Sequence, residues 1–102
     1  MSYAQTEIDV IRWAEQRRII PNASPEVQVF KAVSDVGNLV DAMLKGDIRN
    51  FKLKLGDVVV TLIILAAMKD IDLTECLELA YEKIKDRRGT MLPNGVFVKR
   101  CD

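Results

Sequence analysis

Apolar side chains recur at helical spacing along most of the chain, and one stretch is apolar on every side. Between residues 58 and 67 only Thr61 is not apolar. Such a segment needs cover all round, and it is shorter than the ~20 residues of a membrane span. The triple valine at 58–60 would suit a buried strand, whereas the uninterrupted length of 51–68, which lacks proline, favours a helix. We expect a helix over residues 51–68 at the centre of the fold.

Two amphipathic helices precede this stretch. Residues 2–18 place apolar side chains among charged ones at roughly helical spacing, and a proline-containing loop around 21–22 follows. The next helix is predicted over residues 25–45. Its start is well signalled, because Ser24 is a good N-cap and Pro25 suits the first helical position.

A fourth helix and a short extended tail complete the pattern. Residues 47–50 should be a connection, and residues 72–88 should form the fourth helix, which Gly89 ends. A Pro-Asn-Gly turn at 93–95 lies between two short apolar runs, as in a β-hairpin. The sequence therefore predicts an all-α four-helix bundle with a short extended C-terminal tail, in a single domain over residues 1–102.

Composition narrows the classes of function. Basic and acidic residues number 15 each, so no net charge favours a nucleic acid or an anionic membrane as a partner. Histidine is absent, which removes histidine bases, histidine-containing triads and histidine metal ligands. Cys76 and Cys101 lack the short spacing of a metal motif. We therefore expect reduced thiols and a cytoplasmic location.

Two polar pairs interrupt the apolar faces of the second and third helices. Asp35 and Asn38 are three residues apart, and so are Lys54 and Asp57. This spacing places each pair on one helical face, so that adjacent helices could point all four side chains at one another. Carboxylates projected in this way hold magnesium or manganese in helical bundles. Alternatively, these are boundary residues that are polar because they border solvent.

The order and spacing of several segments resemble the MazG-like all-α nucleoside triphosphate pyrophosphohydrolases. The likeness covers nearly the whole chain and lies in residues 11–14, 31–39, 53–62, 71–78, 81–89 and 94–99. This resemblance implies the all-α fold, conversion of a nucleoside triphosphate to the monophosphate and pyrophosphate, and assembly as a homodimer or homotetramer.

The resemblance also implies a metal site built from a Glu-x-x-Glu pair and a Glu-x-x-Asp pair. By position these fall on Asp35 with Asn38 and on Lys54 with Asp57, and a further acidic position falls on Ser34. Only Asp57 keeps the family's residue. Four carboxylates would supply four negative charges, whereas Asp35 and Asp57 supply two and Lys54 cancels one. We expect Lys54 to take the cation's place, to reach Asp35 across the helix pair, and to leave magnesium or manganese binding weak or absent.

Other positions match the family's nucleotide-binding residues. Lys83 and Arg87, four apart on the fourth helix, match basic residues that meet phosphates, and Trp13 could stack on a base. Alternatively, the basic residues belong to a solvated helix end, and Trp13 packs in the core.

Two functions follow from this altered site. The first is a MazG-like protein that acts by binding a nucleotide or a protein partner, for example as a phage or mobile-element antagonist of a host system. The alternative is an active pyrophosphohydrolase, or an inactivated variant of one.

Overall fold

The computed structural model describes residues 1–99, which form five helices and one two-stranded sheet. In chain order these elements are α1 (Tyr3–Gln16), α2 (Ile19–Asn22), α3 (Pro25–Lys45), α4 (Ile48–Met68), α5 (Leu73–Ile84), β1 (Gly89–Met91) and β2 (Phe97–Lys99). The all-α architecture is confirmed, and residues 51–68 are helical throughout.

The helical hairpin of α3 and α4 is the centre of the fold and contains its largest interhelical contact. The Ser24 hydroxyl accepts a hydrogen bond from the Val27 amide at 3.2 Å, which fixes the start of α3 as predicted. Gly46, at a φ of 70°, ends α3 in the left-handed conformation. The predicted connection at 47–50 is wrong, because Asp47 accepts from the Asn50 amide at 3.1 Å and starts α4 three residues early.

On one side of this hairpin, α1 packs against α4. After α1 the chain turns at Arg18, whose φ is 60°. The segment that was predicted as a loop contains the single helical turn α2, which contacts both α1 and α4. The predicted bundle of four helices therefore has a short fifth helix.

The helix of the C-terminal part, α5, is shorter than expected. Helix α5 ends at Ile84 rather than near Arg88, because residues 85–88 are all charged and offer no apolar side chain to bury. The predicted hairpin is present, with Met91 paired to Phe97 and Gly89 to Lys99. A Cβ at Gly89 would overlap the Phe97 ring, so this first strand position requires glycine.

The core of the single chain is small and lies between α1, α3 and α4. Within residues 1–99 its buried apolar side chains are Ala14, Ala42, Ile63, Ile64 and Ala66. Leu62 and Leu65 of α4 are only half-buried, so the expectation that residues 58–67 are covered on every side is not met within one chain. No side chain of residues 73–99 is buried.

The cysteines and the helix lengths bear on redox state and on membrane insertion. Cys76 is a free, half-buried thiol, and Cys101 lies outside the described residues. Among the described helices, none combines the length and apolar character that crossing a membrane requires.

Candidate functional site

A cleft of about 440 Å³ lies between the α3–α4 hairpin and the segment formed by α1 and α2. Its lining residues are Trp13, Ile19, Gln28, Lys31, Asp35, Asp57, Val60, Thr61 and Ile64. The polar members come from α3 and α4 at helical spacing, so each helix presents them along one face. The cleft thus joins two acidic side chains, Gln28, Thr61 and one lysine.

Asp35 is the best-anchored group of the cleft. Its side chain is 9% exposed, and Thr61 donates a hydrogen bond to its Oδ2 from the hydroxyl at 2.5 Å. The Lys31 ammonium lies 3.4 Å from each carboxylate oxygen. Gln28 in turn donates from Nε2 to the Thr61 carbonyl at 3.1 Å. A buried carboxylate is costly unless it is paired and hydrogen-bonded, and this network meets both needs.

Lys54 pairs with Asp57 rather than with Asp35. Its Nζ lies 3.9 Å from Asp57 Oδ2, and the two side chains are 31% and 45% exposed. Within residues 1–99 no ion pair joins Lys54 to Asp35, so the expected reach across the helices is wrong. Lys31 lies one turn before Asp35 on the same helix, so its ammonium pairs with Asp35 in place of that of Lys54.

The remaining predicted ligands do not join the cleft. Ser34 and Asn38 are exposed and are absent from its lining, and the half-buried Lys54 is absent from it as well. Ser34 immediately precedes Asp35, so a helix turns its side chain about 100° away. Of the four positions carried over from the family's metal motif, the structure brings only Asp35 and Asp57 into one cleft.

Of the three predicted nucleotide-binding residues, only Trp13 lines the cleft. Trp13 lines the cleft and is 45% exposed, so it is not a core residue, and the Arg17 guanidinium lies 5.6 Å from its ring centroid. Lys83 is exposed on α5, which does not border the cleft. Arg87 is exposed and lies beyond the end of that helix, so the expected pair on one helical face is wrong.

Sequence reasoning missed three polar residues of this cleft. Gln28 and Lys31 precede Asp35 by two helical turns and by one, and Thr61 follows Asp57 by one. The signal for Thr61 was present, since it is the sole polar residue between 58 and 67. The neutral Gln28 and the exposed Lys31 carried no such signal.

A second polar group lies away from the cleft, near the start of α1. Glu7 is only 9% exposed, and its Oε2 has no hydrogen-bond partner among the described residues. Partial burial of the phenol, together with the nearby Glu7 carboxylate, raises the pKa of Tyr3 to about 12. Asp72, the N-cap of α5, adds to this effect, so the Tyr3 side chain lies near the start of α5.

Comparison with known proteins agrees with this architecture. The sequence profile of the MazG nucleotide pyrophosphohydrolase domain matches residues 25–92, and the chain belongs to this family. Among solved structures, it is similar to a cyanophage S-2L MazG-like pyrophosphohydrolase bound to dGDP and three catalytic Mn²⁺ ions per active site. The likeness has a TM-score of 0.67 at 19% identity and covers 99% of each chain, which shows a shared fold. No curated protein matches the chain.

Proposed function

We propose that this MazG-family protein acts by binding, with a nucleotide as the ligand of the cleft, and does not hydrolyse it. The observation that carries the proposal is the state of Asp35, whose carboxylate is already occupied by the Thr61 hydroxyl and the Lys31 ammonium. A nucleotide is the ligand of the similar cyanophage enzyme, which holds dGDP with Mn²⁺.

The donor set of the cleft does not fit several divalent ions. Magnesium and manganese require oxygen ligands and negative charge. Asp35 and Asp57 each have an ammonium within 4 Å, and Asn38 lies outside the cleft lining. Within residues 1–99 no group of three acidic, cysteine or histidine side chains is arranged around one point. A metal would therefore have to displace a lysine from each carboxylate before it gained two ligands.

Assembly into a homodimer or homotetramer is part of this proposal, and two geometric properties of the chain support it. The chain exposes 8092 Å², whereas a folded monomer of its mass exposes roughly 5,800 Å². Its radius of gyration is 16.4 Å, against roughly 13 Å for a compact domain of this length. The excess area is larger than the ~800 Å² that each partner buries in an ordinary stable complex.

Assembly also decides the role of the basic residues of the C-terminal part. In a single chain, α5 contacts α4 but does not border the cleft. Lys83 and Arg87 can therefore contact phosphates in the cleft only when a second copy brings them there. Trp13 needs no partner, because it lines the cleft of its own chain. A cytoplasmic location completes the proposal, since it suits a nucleotide-binding protein with a free thiol.

Pyrophosphate release from a mixture of nucleoside triphosphates, with magnesium or manganese, tests the absence of hydrolysis. We expect no release above the rate without protein. A variant carrying Asn38→Glu and Lys54→Glu restores two acidic positions and should bind manganese more tightly than the parent chain in calorimetry. Metal-dependent turnover by the parent chain, lost on Asp57→Ala, would instead establish the alternative, a working pyrophosphohydrolase.

A further inference from the structure

We propose that two ammonium groups replace the divalent ions of this cleft, so that it binds the phosphates of a nucleotide without metal. Lys31 lines the cleft, and Lys54 lies outside the lining but pairs with the lining residue Asp57. This inference rests on the proposed nucleotide-binding function and specifies its chemistry. Its starting point is geometric, because each carboxylate that lines the cleft has one lysine Nζ within 4 Å.

The charge of the cleft differs from that of a metal site. A set of carboxylates alone repels phosphate, and a bound cation has to reverse that repulsion before a nucleotide can enter. Here Lys31 balances Asp35 and Lys54 balances Asp57, so the two ion pairs carry no net charge. Phosphate oxygens can then approach without a metal ion to screen the carboxylates.

The lysines also have donors available for phosphate. An ammonium has three N–H groups, and the contacts to Asp35 and Asp57 leave part of this capacity unused. The Lys31 side chain is 58% exposed and that of Lys54 is 31% exposed, so both heads can meet a ligand from solvent. Hydrogen bonds between ammonium and phosphate are charge-assisted and are among the stronger ones that proteins form.

The buried network under the cleft gives Lys31 a defined position. Gln28 donates to the Thr61 carbonyl, and the Thr61 hydroxyl donates to Asp35. Asp35 in turn attracts the Lys31 ammonium to the wall of the cleft. The volume of about 440 Å³ lies within the range of small-molecule sites. Trp13 on α1, the opposite wall, offers an aromatic face to the same cleft, which suits a nucleotide better than an inorganic anion.

Calorimetric titration with dGDP, once in EDTA and once in excess magnesium, tests the inference on the intact chain. We expect dGDP to bind in EDTA at least as tightly as in magnesium, since no metal takes part at the site and magnesium in solution competes for the diphosphate. Inorganic triphosphate, titrated in EDTA, should bind more weakly than dGDP because it lacks the base. Triphosphate binding as tight as that of dGDP would overturn the role given to Trp13.

Lys54→Met is the decisive variant, because Asp57 is 45% exposed and tolerates the loss of its partner. It should weaken dGDP binding in EDTA by about tenfold or more, since it removes a charged donor. Lys52→Met, at an exposed position two residues earlier on the same helix, is the matched control and should bind like the parent chain. Lys31→Met should also weaken binding, with circular dichroism showing that it remains folded.

The outcomes separate this inference from the function on which it rests. Binding of dGDP that requires magnesium would overturn the inference while leaving nucleotide binding in place. Unchanged binding by Lys54→Met and by folded Lys31→Met would overturn it as well. Absence of dGDP binding both with and without metal would overturn the proposed nucleotide-binding function itself.

Discussion

The two sides of the α3–α4 hairpin differ: one chain pairs the buried polar groups of one side but leaves apolar side chains of the other side uncovered. On the cleft side, the buried polar groups of Gln28, Asp35 and Thr61 all have partners from the same chain. On the other side lies an apolar groove of about 380 Å³. Its lining residues are Pro25, Glu26, Val29, Leu62, Leu65, Ala66, Lys69, Ile71, Leu73 and Cys76.

This difference suggests different roles for the two sides, a polar site formed within one chain and an apolar surface that a second copy would bury. Hydrogen bonds and ion pairs require defined geometry, and the cleft has that geometry within one chain. Apolar surface is stabilised by any contact that removes it from water, and within residues 1–99 no segment closes the groove. From the groove, an exposed apolar stripe continues along α3 through Val33, Val36, Val40 and Met43. We therefore place the proposed ligand site on the cleft side and the proposed contact with a second copy on the groove side.

A charge placed in the groove should have the largest effect, because it would be buried between copies. We expect Val29→Glu to raise the dissociation constant of the assembly by at least about a hundredfold. Val27→Glu is the matched control, since Val27 lies on the same helix, is 62% exposed and does not line the groove. Light scattering over a dilution series measures both variants. A parent chain that is monomeric at every concentration, or two variants that dissociate equally, would show that the groove is not the interface.

On the cleft side, loss of one hydroxyl should have a smaller but clear effect. Thr61→Val keeps the shape of the side chain and removes the donor to Asp35, so the buried carboxylate keeps only Lys31. We expect the free energy of unfolding to fall by about 1–3 kcal/mol. Urea denaturation at a fixed protein concentration measures it.

Thr90→Val serves as the control for this change, because Thr90 is exposed on β1 and should change stability by no more than about 0.5 kcal/mol. Equal losses in the two variants would mean that the Thr61 hydroxyl does not support Asp35.

The sequence was most informative where the pattern of side chains has a single local cause. Ser24 followed by Pro25 predicted the start of α3 correctly, because an N-cap acts through its own neighbours. The long apolar stretch predicted the central helix for a similar reason. Asp47 is an equally good N-cap inside the predicted connection, so α4 begins earlier than expected.

The candidate site was less predictable because it depends on which lysine side chain forms an ion pair with each carboxylate. Spacing predicted that Asp35 and Asp57 lie in one site, and both line the cleft. It could not show that Lys31 would pair with Asp35 in place of Lys54, since that choice depends on side-chain reach within α3. Exposure of Asn38 likewise follows from how the helices pack, which spacing alone does not determine.

Tyr3 of α1, the helix on the cleft side, lies near the start of α5, which borders the groove, and it offers the smallest test. In a Tyr81→Phe variant, Tyr3 is the remaining tyrosine, and its phenol should titrate near pH 12 in the folded chain. In urea it should titrate near its ordinary value of 10. Because the folded-state pKa is the higher one, this group stabilises the fold fully below pH 10 and loses that contribution as pH rises through 12.

Adding Glu7→Gln to that variant separates the two causes of the raised pKa. Loss of the neighbouring negative charge should lower the folded-state pKa of Tyr3, although partial burial should still hold it above 10. Ultraviolet absorbance of the tyrosinate reports the titration in both proteins. A folded-state pKa that stays near 12 in the double variant would show that Glu7 does not act on Tyr3. A value near 10 in the Tyr81→Phe chain itself would show that α1 leaves this phenol in water and does not meet the start of α5.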